Sequence, residues 1–65
     1  MDIWINKQIL TLPDSATVAD ALAEFDTHKP FAVSLNGIFI ARTQYKTHIL
    51  EAGDTIELIY PVAGG

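Results

Sequence analysis

The sequence contains no cysteine. That removes a disulfide framework, a thiolate nucleophile and any site for a protein-bound persulfide, so sulfur chemistry in this chain would have to use a different atom. Positive charge is also sparse. Its four basic residues, Lys7, Lys29, Arg42 and Lys46, are scattered along a chain with eight carboxylates and a net charge of −4. Phosphate binding depends on clustered Lys and Arg, which argues against nucleic acid and makes a basic protein surface the natural counterpart. No apolar run approaches the roughly 20 residues a membrane span requires, and Asp2 stands where a signal peptide would carry positive charge. The expectation is a cytoplasmic protein without membrane association.

Histidine is confined to His28 and His48, and neither has a second ligand at metal-binding spacing, so both read as surface or capping residues. Asp14, Asp20, Glu24 and Asp26 lie on or beside the solvated side of a predicted helix, with no pocket to make an acid/base pair of them. Ser15 and Ser34 lack a partner base, and the four glycines do not form a phosphate loop. No catalytic constellation and no metal site emerges.

What is present is a core. The 65 residues are 49% hydrophobic, which describes one small globular domain. Ile3 and Ile5 alternate with Asp2, Trp4 and Asn6, the period of a strand with one buried face, and this turns Trp4 to the other side. Asn6-Lys7 suits a tight hairpin leading into a second strand over Gln8 to Leu12.

At Thr17 the period changes. Thr17 is a good N-cap, Asp20 sits at the capping-box position, and Val18, Leu22 and Phe25 recur at helical spacing. The pattern predicts a helix of about ten residues ending between Asp26 and Lys29, with Pro30 barring continuation. Phe31, Val33 and Leu35 form the next strand, Asn36-Gly37 is a strong hairpin signal, and Ile38 to Ile40 return. Residues 41–48 read as a connection with one helical turn, anchored by Tyr45 and by Ile49-Leu50. Ala52-Gly53-Asp54 then turns the chain into a last strand, Thr55 to Tyr60, which Pro61 ends because it has no N–H to donate.

A small mixed sheet with one helix across it is the outline of an α+β, ubiquitin-like β-grasp fold of about five strands. In that arrangement the last strand runs parallel beside the first in mid-sheet. Trp4 and Ile59 then come close together on the face away from the helix, as a candidate docking patch. The organisation expected is a domain over residues 1–60 followed by a flexible tail over 61–65.

That tail, Pro61-Val62-Ala63-Gly64-Gly65, is the remaining candidate for chemistry. Two successive glycines put a carboxylate on a backbone with no Cβ, able to enter a narrow cleft. By chance such a pair occurs at given positions about once in two hundred. A free carboxylate is a poor electrophile, so chemistry at Gly65 requires activation as a mixed anhydride with adenylate. A sulfur nucleophile can then displace AMP and leave a thiocarboxylate.

Asn36-Gly37, Ile40-Ala41-Arg42, Tyr45, Leu50, Gly53-Asp54-Thr55-Ile56-Glu57 and Val62-Ala63-Gly64-Gly65 together resemble the ThiS family, the sulfur carrier proteins of thiamine biosynthesis. The resemblance spans essentially the whole chain and is strongest from Val33 onward. It implies that Gly65 is adenylated by an E1-like enzyme that consumes ATP, and that Gly64 completes the required pair. It further implies sulfur from a cysteine desulfurase or other donor, and delivery to thiazole synthase. The carrier is then a co-substrate of partner enzymes rather than an enzyme, and binds no cofactor itself. Ala41 departs from the family, which usually has proline there. The small subunit of molybdopterin synthase also ends in Gly-Gly on a β-grasp fold, but is usually longer. A TGS-like β-grasp binding module shares the Asn-Gly turn and the Gly-Asp before the last strand, without needing the chain to stop at Gly-Gly.

Overall fold

A computed structural model describes residues 1–25 and 32–60. The order of elements is β1 (Asp2–Ile5), β2 (Gln8–Thr11), α1 (Val18–Glu24), β3 (Ala32–Leu35), β4 (Ile38–Ile40), a single 3-10 turn at Arg42–Gln44, and β5 (Thr55–Ile59). The five strands form one sheet in the order β2-β1-β5-β3-β4. β1 and β5 run parallel, and the other neighbours are antiparallel. This is the β-grasp arrangement, with the last strand inserted at the centre. Among the described residues no helix is long and apolar enough to cross a membrane.

Both hairpins turn where their asparagines allow it. Asn6 and Lys7 have φ of 47° and 67°, and Asn36 and Gly37 have φ of 52° and 85°. Two successive positive φ values are what a two-residue turn needs to match the twist of its strands, and Asn tolerates that region better than other residues with a Cβ.

The capping box at the start of α1 is complete: the Asp20 N–H donates to Thr17 Oγ1 at 3.2 Å and the Thr17 N–H donates to Asp20 Oδ2 at 2.9 Å. The next two N–H groups of the helix find partners in the connection after β4. Val18 donates to the His48 carbonyl at 3.1 Å and Ala19 to the Tyr45 carbonyl at 2.8 Å. The helix start and the 45–48 segment therefore fix one another.

The helix is shorter than the sequence pattern predicts, with 7 residues against an expected ten or so. The Phe25 N–H still bonds to the Ala21 carbonyl, but its ψ of 108° swings the next peptide out of the helical direction while the ring packs on the core. The expected end between Asp26 and Lys29, the helix stop at Pro30 and the strand position of Phe31 lie outside the described residues. The inward stripe is also centred differently. Ala21 is fully buried beside Val18, whereas Leu22 and Phe25 are only partly buried.

The core joins Ile3 and Ile5 of β1, Val33 and Leu35 of β3 and Ile56 and Leu58 of β5 to Leu12, Val18, Ala21 and Leu50. Of the expected anchor pair Ile49-Leu50, only Leu50 is buried, at 2% exposure against 58% for Ile49. Thr17 and Ile49 form an isolated antiparallel bridge, with the Leu50 N–H on the Ala16 carbonyl at 2.8 Å. That extended backbone sends neighbouring side chains to opposite sides, so one must face solvent.

Candidate functional site

The tail residues Pro61, Val62, Ala63, Gly64 and Gly65, and the strand-ending role read for Pro61, lie outside the described residues. What the structure describes is the strand that carries the chain to them. β5 is bonded on both sides, to β1 and to β3, so its course is set by the sheet. Backbone rungs from Trp4 N–H to the Asp54 carbonyl (2.8 Å) and from Asn6 N–H to the Ile56 carbonyl (3.0 Å) lock it against β1.

Two asparagine side chains extend this hold beyond the ladders. Asn36 Oδ1 accepts from the Thr55 N–H at 2.9 Å, its Nδ2 donates to Asp54 Oδ1 at 3.0 Å, and its own N–H bonds to the Thr55 carbonyl at 2.8 Å. At the other end, Asn6 Oδ1 accepts from the Leu58 N–H at 2.9 Å, continuing the parallel pairing one rung past the point where β1 turns away. The other Asp54 carboxylate oxygen accepts from the Glu51 N–H at 2.8 Å and closes the turn that feeds β5. The two hairpin turns therefore clamp the strand near both ends, and Tyr60 leaves the sheet from a fixed position. Sequence reading identified both asparagines as turn residues but not this second use. The signal was the presence of Asn in both turns where Gly or Asp would have served.

Trp4 and Ile59 are both on the face away from the helix, 44% and 37% exposed. They are not the adjacent pair the strand pattern suggests. The register puts Trp4 opposite Thr55 on β5 and Ile9 on β2, while Ile59 lies opposite Ala32 on β3. Ile59 lies four positions along the strand from Thr55, about 13 Å at roughly 3.3 Å per residue. Alternation fixes the face of each residue but not the stagger between parallel strands, and the stagger decides the distance. The apolar surface is correspondingly broader, because directly opposed residues share a face. Exposed Ile9 flanks Trp4, and exposed Phe39 lies across from Ser34 at the far side of the sheet. Between the two ends a shallow cleft is framed by Trp4, Lys7, Glu57 and Tyr60.

Among the described residues no three His, Cys, Asp or Glu side chains gather at metal-binding distance. Asp20 is engaged with the Thr17 N–H, Ser34 lies within the sheet between Glu57 and Phe39, and His28 is outside the described residues.

The model of the ThiS family matches residues 3–65. The chain belongs to the ThiS family. It is 32% identical over 66 residues to the sulfur carrier protein ThiS of Escherichia coli (strain K12), covering the whole of both chains. Its fold is similar to the crystal structure of a thiamine biosynthesis protein (ThiS) from Geobacter metallireducens, with a TM-score of 0.78 at 25% identity and full coverage of both chains. The solution structure of a thiamine biosynthesis protein from the same organism gives a TM-score of 0.75 at 23% identity, covering all of this chain and 88% of that one. The family match runs through β5 into Gly64 and Gly65.

Proposed function

We propose that this protein is a sulfur carrier of thiamine biosynthesis, working in the cytoplasm, with the carboxylate of Gly65 as the atom group that carries sulfur. The observation that supports it most is that one family match takes in both the β-grasp body and the Gly64-Gly65 pair. The likeness to the Escherichia coli sulfur carrier over the full length favours thiamine biosynthesis over the molybdenum-cofactor alternative.

On this reading an E1-like enzyme directs a Gly65 carboxylate oxygen onto the α-phosphate of ATP, releasing pyrophosphate and leaving an acyl adenylate. A sulfur nucleophile then attacks the acyl carbon and displaces AMP. Sulfide gives the thiocarboxylate directly, whereas a cysteine desulfurase persulfide gives an acyl disulfide, from which a thiol reductant releases the thiocarboxylate and is itself oxidised to a disulfide. The resulting thiocarboxylate has exchanged one oxygen for one sulfur, which it gives up to thiazole synthase. The five residues 61–65 span up to about 16 Å at roughly 3.3 Å each, so Gly65 can enter a partner's active site while the domain stays outside. Trp4 and Ile59, on the exposed sheet face, are the proposed docking contacts for the activating enzyme. The chain is a substrate of these steps and contributes no catalytic group.

The test is intact-mass measurement after incubation with the activating enzyme, ATP and a sulfur donor. The expected result is a gain equal to the exchange of one oxygen for sulfur, absent in a chain lacking Gly65. Among the described residues the buried core runs from Ile3 to Leu58, so that deletion leaves the core intact. Detecting no adenylate and no mass gain, with the enzyme proven active on another carrier, would overturn the proposal.

A further inference from the structure

The helix side of the molecule carries a second feature, away from the sheet face of Trp4 and Ile59. A shallow groove runs between α1 and the 3-10 turn, with Ala19, Leu22, Ala23 and Tyr45 as its apolar lining and Arg42 and Lys46 as its charges. Its walls are held in place by the hydrogen bonds already described, from the Val18 and Ala19 N–H groups to the His48 and Tyr45 carbonyls. The turn itself is closed by the Gln44 N–H on the Ala41 carbonyl at 2.8 Å and by the Ala41 N–H on Gln44 Oε1 at 3.1 Å. The groove is part of the folded body, on the opposite side of the sheet from Trp4 and Ile59.

Among the described residues its charge is the reverse of the rest of the protein. The described residues include three basic side chains, Lys7, Arg42 and Lys46, and seven carboxylates. Two of those three cations line this groove, and none of the carboxylates does. Asp20 and Glu24 lie on the same helix, but Asp20 is turned to the Thr17 N–H and neither borders the groove. Among the described residues Arg42 and Lys46 form no ion pair, the single bridge being between the Met1 ammonium and Asp14. Two exposed cations at i and i+4 beside an apolar floor suit a ligand that brings carboxylates and an apolar anchor together, because long-range attraction and local burial then act on one segment. A basic surface, the natural partner for the net charge of −4, is disfavoured here by like-charge repulsion.

We propose that this groove is a second docking site, which binds an acidic segment of a partner protein through carboxylates on Arg42 and Lys46 and an apolar side chain against Leu22 and Tyr45. The two faces of the sheet then serve two partners, and occupancy of one does not block the other.

The test uses the intact chain, labelled with nitrogen-15, titrated with a blocked synthetic peptide made of repeated Glu-Leu-Leu-Glu units, and with a twin in which every Glu is Gln. Expected are amide shift changes confined to α1 and residues 42–46, binding at least about tenfold weaker for the Gln twin, and weakening with added salt as charge pairing requires. Arg42→Gln combined with Lys46→Gln keeps polar, helix-compatible side chains at exposed positions, and should weaken the acidic peptide to the level of its twin while leaving the unfolding midpoint in place. Absence of saturable shifts, equal binding of both peptides, or shifts centred on Trp4, Thr55 and Glu57 would each overturn the proposal.

Discussion

The side-chain oxygen of Asn6 accepts a hydrogen bond from the backbone N–H of Leu58 at 2.9 Å, joining residues 52 positions apart. Asn6 thus does two jobs: it takes the positive φ that turns the first hairpin, and it completes the parallel pairing that positions the end of β5.

Substitution separates the two jobs. Asn6→Gly retains access to positive φ but leaves the partly buried Leu58 N–H without its acceptor, at a cost of about 1–2 kcal/mol. Asn6→Ala loses the acceptor and adds roughly another 1 kcal/mol of left-handed backbone strain. Urea unfolding should therefore rank the midpoints native, Gly, Ala. Hydrogen exchange at the Leu58 amide should accelerate in Asn6→Gly more than at Val33 or Ile56. An Asn6→Gly protein as stable as the native one would show that the clamp contributes nothing.

Leu50 and Ile49 give a sharper contrast between neighbours. Leu50 fills the core and Ile49 faces solvent. Leu50→Ala should cost about 3 kcal/mol, a large share of the stability of so small a domain, whereas Ile49→Ala should stay within roughly 0.5 kcal/mol. Chemical denaturation of the two variants checks this, and comparable losses from both would contradict the bridge between Thr17 and Ile49 that sets the alternation there.

These two cases show what could be read from the sequence and what could not. Alternation at Ile3, Ile5, Ile56 and Leu58, the Thr17/Asp20 box and the Asn-Gly turn are local signals, and each is recovered in the strand faces, the cap and the hairpin. The clamp of Asn6 on Leu58 spans the chain and has no local signature. Ile49-Leu50 was legible as an anchor but not by residue, because the bridge to Thr17 that decides which side chain turns inward comes from the far end of the helix segment. Trp4 and Ile59 were assigned to the right face and the wrong distance for a similar reason: parallel stagger is set by the whole β1–β5 ladder. The basic groove was missed because Arg42 and Lys46 are two scattered cations in the sequence and become a pair only when the 3-10 turn docks beside α1.

The departure at Ala41 can be tested directly. Its φ of −71° and ψ of 146° already suit proline, and Ile40 before it is in a strand, the conformation proline requires of its predecessor. Proline would remove only the exposed N–H bond to Gln44 Oε1. Lower unfolded-state entropy, about 0.4–1 kcal/mol, offsets that loss. Ala41→Pro should therefore unfold within roughly 0.5 kcal/mol of the native protein by urea titration. A loss above 2 kcal/mol would mean that the N–H bond to Gln44 organises the turn.

On the proposed docking of Trp4 and Ile59 to the activating enzyme, the distance between them sets how they combine. Truncating a large aromatic at the centre of an interface commonly costs 2 kcal/mol or more, so Trp4→Ala should weaken binding to the activating enzyme by roughly thirtyfold or more, and Ile59→Ala by less. Residues about 13 Å apart with no shared partner contribute independently, so the double variant should equal the sum of the singles within about 0.5 kcal/mol. Had the two side chains formed one adjacent pair, the first truncation would disturb the packing of the second and the cycle would depart from additivity. Calorimetric titration of the activating enzyme with the four proteins decides this. Unchanged affinity in both singles would remove this face from docking, whereas a large coupling energy would mean that the partner bridges both ends of the sheet with one rigid element.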